Sequence, residues 1–114
     1  MSATRSTDTA RVLSLLGIAR RSGVLLLGQD QVLRSLGRRL FVVTVPDCSP
    51  AVLRKLDARS GENLVCCVLS GTSRAELGRS LGVSGAQIAA LPLESGFAKK
   101  LAVLLQQEGL GIDE

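Results

Sequence analysis

From Thr9 to Arg21 the apolar residues Val12, Leu13, Leu15, Leu16 and Ala19 recur at helical spacing, which predicts a helix with one buried side, stopped by Ser22-Gly23. Asp8 or Thr9 is placed to cap it. The Ser/Thr-rich residues ahead of it carry no such stripe, and residues 1–8 are expected to form a disordered tail. The period then changes. Val24–Leu27 reads as a strand, Gln29–Leu36 as an amphipathic helix closed by Gly37, and Leu40–Val45 as a second strand. That second strand is continuously apolar, which predicts burial on both faces and therefore helices on both sides of a sheet.

The second half repeats the alternation. Pro46-Asp47-Cys48-Ser49-Pro50 feeds a third helix, with Ser49 as N-cap and Pro50 at the first helical position. Val52, Leu53 and Leu56 form its inner stripe and Gly61 closes it. Leu64–Leu69 is a third strand. Ser73 and Glu76 have the spacing of a capping box, which opens a short helix ending at Gly82. Gln87–Leu91 is a fourth strand, and a last helix carries Phe97, Leu101, Leu104 and Leu105 to about Gln107, with 109–114 fraying. Helix and strand alternate throughout on short connections. The chain is therefore expected to be α/β, a three-layer α/β/α sandwich with a central four-stranded sheet, in one domain over 9–108.

Composition narrows the class. With 114 residues there is room for one core, and with Phe41 and Phe97 as the only aromatics that core must be aliphatic. No apolar run approaches the ~20 residues of a membrane span, and the N-terminal residues lack the order of a signal peptide, so a cytoplasmic protein is expected. Cys48, Cys66 and Cys67 make a poor disulfide framework, and the sequence has no His. All three cysteines are expected to be buried structural thiols, with no metal site.

Charge is unevenly placed. The net charge is +4, yet residues 1–39 hold seven basic side chains against two acidic, while residues 40–114 hold seven against eight. Eleven of the fourteen basic residues are Arg, whose planar fork suits phosphate and base edges. This footprint fits a nucleic-acid binder, and it equally fits a solvated face with basic helix ends.

The sequence carries no catalytic constellation. There is no His to act as base, Ser70 lacks the flanking glycines of a nucleophile elbow, and neither a phosphate loop nor a dinucleotide fingerprint is present. No cofactor and no small-molecule substrate are expected. Asp30, Asp47 and Glu94 sit near predicted helix starts and read as caps. Gly82-Val83-Ser84-Gly85 spells the Gly-x-x-Gly of a KH loop, but it leads into a strand instead of joining two helices.

One stretch concentrates the remaining chemistry. At Gly28 the first strand turns into a helix, Asp30 is placed to cap that helix, and its first free N–H groups would face an anion. Arg34, Arg38 and Arg39 follow. Two readings stand side by side: a nucleic-acid contact on a helix N-terminus, or an ordinary connection whose basic end suits the helix macrodipole.

Leu15-Leu16-Gly17-Ile18-Ala19-Arg20-Arg21-Ser22-Gly23, then Gly28-Gln29-Asp30-Gln31-Val32-Leu33-Arg34, then Glu94-Ser95-Gly96-Phe97-Ala98-Lys99-Lys100-Leu101 together resemble the kink-turn-binding ribosomal proteins of the L-seven-Ae and L-thirty-e type. A small bacterial branch belongs to that family, and the resemblance covers roughly residues 9 to 106. It implies a mixed four-stranded sheet and a noncatalytic role in binding structured RNA, kink-turns in particular. Gly28 would give close approach, Asp30 and Gln31 would stand at the family's Asn-Glu pair beside Gln29, and Arg34 would take the basic position. The resemblance also implies a contact from the loop holding Leu93, Glu94 and Ser95, with Arg20, Arg21 and Arg38 adding charge.

Two positions depart from the family pattern. Asp30 puts a carboxylate where Asn or Lys is common, and Val24 is apolar where a basic residue is common. The chain also lacks the aromatic platforms that grip single strands, which favours folded RNA read through shape and backbone. The expected partner is structured RNA, with the ribosome or the transcription and translation machinery as its setting and no membrane. The alternative is a protein-interaction module on the same fold that has lost specific RNA binding.

Overall fold

A computed structural model describes residues 2–59 and 64–108. The elements are α1 (Ser2–Arg21), β1 (Leu26–Leu27), α2 (Gln29–Arg34), β2 (Leu40–Thr44), α3 (Pro50–Arg59), β3 (Leu64–Val68), α4 (Arg74–Leu81), β4 (Ile88–Pro92) and α5 (Gly96–Glu108). All nine expected elements are present in the expected order. α1 starts at Ser2, ahead of the apolar stripe and inside the stretch expected to be a tail; once a turn has formed, each further residue needs only its backbone bond to extend a helix. β1 and α2 are shorter than the pattern predicts. The expected Gly61 stop and the expected fraying of 109–114 lie outside the described residues.

The sheet is mixed, in the order β1-β4-β2-β3. β2 and β3 are parallel, and β4 runs antiparallel to both of its neighbours. β2 lies inside the sheet and all five of its residues are buried, as its unbroken apolar run requires. α1 packs on α4 and α5, and α2 packs on α3, so helices cover the sheet in a three-layer sandwich. The core is aliphatic apart from Phe41, with Val12, Leu16, Leu40, Val42, Leu77, Ile88, Leu91 and Leu101 fully enclosed.

Two close crossings tighten this packing. A Cβ on Gly17 of α1 would stand 2.8 Å from the Ser80 carbonyl oxygen of α4, so only glycine lets the helices approach this far. Gly78 plays the same part between α4 and the chain that follows it.

β3 is an edge strand, and that overturns one expectation. Cys67 is buried, but Cys66 and Val68 point to the other side and are exposed; Cys48 is buried in the loop after β2. Burial pushes the Cys67 thiol up to about 12, with Cys66 alongside adding to the shift. Cys66 is also raised, by partial burial first and by the Asp57 charge second. Among the described residues no helix is long and apolar enough to cross a membrane, and no group of three or more Cys, Asp or Glu converges as a metal site.

Candidate functional site

The sheet register gives the molecule two rims. β1 ends beside the start of β4, because Leu27 pairs with Ala89 and the Gly28 N–H donates to the Ile88 carbonyl at 3.2 Å. β2 and β3 end at this same rim, where Leu69 N–H donates to Thr44 O and Val45 N–H to Gln87 O. The first rim therefore gathers the Gly28 turn, the loops after β2 and β3, and the last residues before β4. Three helices, α2, α3 and α4, begin there.

Their starts differ in one respect. α4 has the full capping box expected: the Ser73 side chain accepts from Glu76 N–H, and the Glu76 side chain accepts from Ser73 N–H. α3 has the expected Ser49 cap, whose Oγ accepts from Ala51 N–H at 3.2 Å. α2 has no side-chain cap at all. Gly28 is its N-cap, so Asp30 does not take the capping role expected of it. Asp30 lies in the first turn of α2, exposed, where its charge suits the macrodipole.

Gly28 owes its identity to conformation. At φ 91° and ψ 154° it occupies a region essentially reserved for glycine, and nothing lies within 4 Å of where a Cβ would stand. Its outer side is open. Gln31 holds the turn from the other end, its Oε1 accepting from Leu27 N–H at 2.9 Å, while Gln29, Asp30 and Gln31 are all exposed.

A second segment comes to this rim that the sequence reading did not assign to it. After Gly82, in the left-handed conformation expected of a helix stop, the chain folds back along α4: Val83 N–H donates to Gly78 O and Ala86 N–H to Arg74 O. Gly85 backbone atoms lie 2.5 to 2.9 Å from where a Cβ on Gly78 would stand. Ser84 and Gly85 are exposed as the loop reaches β4 beside Gly28. Gln87 then bonds across to the neighbouring loop, its Oε1 accepting from Ser49 N–H at 2.7 Å. The available signal was a glycine inside a helical pattern, which marks close backbone approach.

The other expected residues lie elsewhere. Leu93, Glu94 and Ser95 follow β4, so they stand at the opposite rim, about 16 Å from Gly28 along a five-residue strand. Leu93 N–H donates there to the Arg39 carbonyl, and Ser95 Oγ caps α5 by accepting from Ala98 N–H. Arg38 and Arg39 precede β2 and are exposed at that same far rim. Arg34 ends α2, roughly 9 Å along the helix from Gly28. Arg20 and Arg21 end α1, and Arg20 Nη1 donates to the Leu81 carbonyl at the end of α4, 2.9 Å away. The structure thus brings Gly28, Gln29, Asp30 and Gln31 together, keeps Arg34 on the flank, and separates the remaining arginines from the turn. Arg74, at the start of α4, stands at the near rim; its Nε donates to Asp47 O at 2.9 Å and lies 3.8 Å from Asp47 Oδ2.

The class so defined is a small α/β/α sandwich with an uncapped, glycine-opened helix start at one rim of a mixed sheet. No protein-family model and no curated protein matches the chain. Among solved structures, a Bacillus halodurans protein of unknown function is similar at 29% identity and TM-score 0.66, over 85% of this chain and 98% of that one. The Giardia lamblia 15.5kD RNA binding protein shares the fold at 19% identity and TM-score 0.66, over 94% of this chain and 90% of that one.

Proposed function

We propose that this chain is a noncatalytic binder of structured RNA, gripping it at the near rim with the Gly28 turn and the start of α2. The observation that carries this reading is the pairing of an open glycine N-cap with an uncapped first turn, next to exposed Gln29, Asp30 and Gln31. Free amides take phosphate oxygens or base acceptors, and the side chains of Asp30 and Gln31 reach base edges. The Ser84-Gly85 segment, which lacks side-chain bulk, forms the second wall. A helical stem would lie along α2 toward Arg34, and a bulge or kink-turn would place splayed nucleotides between the two walls.

The fold shared with an RNA-binding protein from Giardia lamblia supports this reading. So does the family resemblance in Gly28-Gln29-Asp30-Gln31 and Arg34. The setting proposed is the cytoplasm, in or beside the ribosome or the transcription and translation machinery. A second reading, a protein-interaction module on the same fold, draws on one observation: Arg20, Arg21 and Arg38 stand away from Gly28, toward the far rim.

Titration against a kink-turn RNA, an unkinked duplex of equal length and a single strand, at two salt concentrations and with Arg34→Ala alongside, separates the two. Preference for the kinked RNA, weakened in the variant, is the expected result. Equal and strongly salt-dependent binding to all three would reduce the function to a general basic surface. No binding near physiological salt would leave the protein-interaction module.

A further inference from the structure

The far side of the molecule holds a concentration of positive charge that the near rim does not use. Arg20 and Arg21 in the last turn of α1 meet Arg79 in the last turn of α4 around a cleft of about 490 Å³, floored by Gly17 and Gly82. Among the described residues no carboxylate lines it. The close crossing at Gly17 brings the two helix ends together, and the bond from Arg20 Nη1 to Leu81 O fixes one guanidinium at the wall. Among the described residues neither Arg21 nor Arg79 has an ion-pair partner, and both are exposed. Three cations gathered without a counter-charge repel one another. The carbonyl ends of two helices offset part of that repulsion and leave a net attraction for an anion.

We propose that this cleft is a second phosphate-binding site, and that its ligand is a phosphodiester of the RNA held at the near rim; the inference therefore rests on the RNA-binding reading above. Guanidinium forks suit phosphate oxygens, and a bond that already orients Arg20 lowers the ordering cost of a contact there. The reach is compatible. Arg21 and Gly28 are seven residues apart in the chain, at most ~25 Å, which is about seven base pairs of duplex at ~3.4 Å each. A short stem is long enough to span that separation. Contacts to phosphate carry no sequence information, so the cleft contributes affinity and orientation while the near rim supplies recognition.

The test follows backbone amides by NMR and affinity by titration, in wild type and in Arg79→Gln and Arg21→Gln, which leave the Arg20 bond intact. The probes are a kink-turn RNA hairpin and, separately, inorganic tripolyphosphate. The expected result is that RNA shifts amides of Ser80 to Gly82 as well as those of Gly28 to Gln31. Each substitution should also lower the slope of log affinity against log salt by about 0.7 to 0.9, with no change in RNA preference. RNA that shifts only the Gly28 region, with an unchanged slope in both variants, would overturn the cleft while leaving RNA binding intact. A cleft that takes tripolyphosphate but no RNA phosphate would overturn the phosphodiester assignment. Wild-type protein that binds no RNA would remove the RNA-binding reading and this inference together. Thermal melts by circular dichroism check that both variants fold.

Discussion

The Cα of Gly85 lies 2.5 Å from where a Cβ on Gly78 would stand, so the helix α4 and the loop that returns along it fit only with glycine at position 78. Gly78→Ala should destabilise the fold by about 1–3 kcal/mol, since the new methyl meets main chain that cannot rotate away. Gly85→Ala should cost far less, because nothing stands within 4 Å of its own added Cβ. With no Trp or Tyr in the chain, urea unfolding followed by far-UV circular dichroism is the measurement. Equal midpoints for Gly78→Ala and wild type would mean that the loop moves freely. If the loop is a wall of the RNA site, Gly78→Ala also weakens RNA binding under conditions where it remains folded.

Gly28→Ala tests conformation alone. No side chain is in the way, but φ 91° with ψ 154° excludes a Cβ, and the substitution should cost about 1–3 kcal/mol in the same urea assay. A loss much below that range would show that the turn relaxes to another conformation, and RNA affinity would then report whether the original one matters.

Gln31 and Asp30 separate stability from binding. Gln31→Ala removes the acceptor for Leu27 N–H and should cost about 1 kcal/mol or less at this exposed position, whereas Gln31→Glu keeps an acceptor oxygen and should leave the midpoint unchanged. Asp30→Asn should go the other way in the two assays. It gives up a favourable charge in the first turn of α2, a few tenths of a kcal/mol. It should tighten RNA several-fold, because a carboxylate beside phosphate costs about 1 kcal/mol at contact distance in water.

The thiols give a pH signature. Cys67 holds its proton to about 12 when folded but releases it near its ordinary 9.0 when the chain unfolds. Its contribution to stability is therefore complete below pH 9 and is lost as pH rises from 9 toward 12, on the order of 1 kcal/mol per pH unit at most. The gap in stability between wild type and Cys67→Ala should shrink over that range and stay constant between pH 6 and 8. In the native protein at neutral pH, iodoacetamide should modify Cys66 first and slowly, and reach Cys48 and Cys67 only with unfolding.

Features written in a few adjacent residues were legible in the sequence. The Ser73-Glu76 box, the Ser49-Pro50 start, the Gly82 stop and the buried run of β2 all appear where the pattern puts them, because capping and strand burial are decided locally. Pairing across the sheet was not legible. Nothing local to Ile88–Pro92 says that this strand inserts between β1 and β2 and runs against both. That single fact puts Ile88 beside Gly28, brings the loop before β4 to the same rim, and sends Leu93, Glu94 and Ser95 to the other rim. The Asp30 cap failed for a related reason: a carboxylate near a helix start looks like a cap until the backbone angles of the preceding glycine are known. Cys66 was misread because its exposure depends on β3 lying at the edge.

The insertion of β4 also sets a timetable for synthesis. β2 and β3 can pair once residue 68 has left the ribosome, but β1 has no neighbour in the sheet until β4 follows. The Gly28 turn, encoded some sixty residues ahead of β4, is therefore fixed only after that strand has emerged. A nascent chain can thus carry the residues proposed to meet RNA well before it holds them in a shape able to do so, and that shape arrives only with β4.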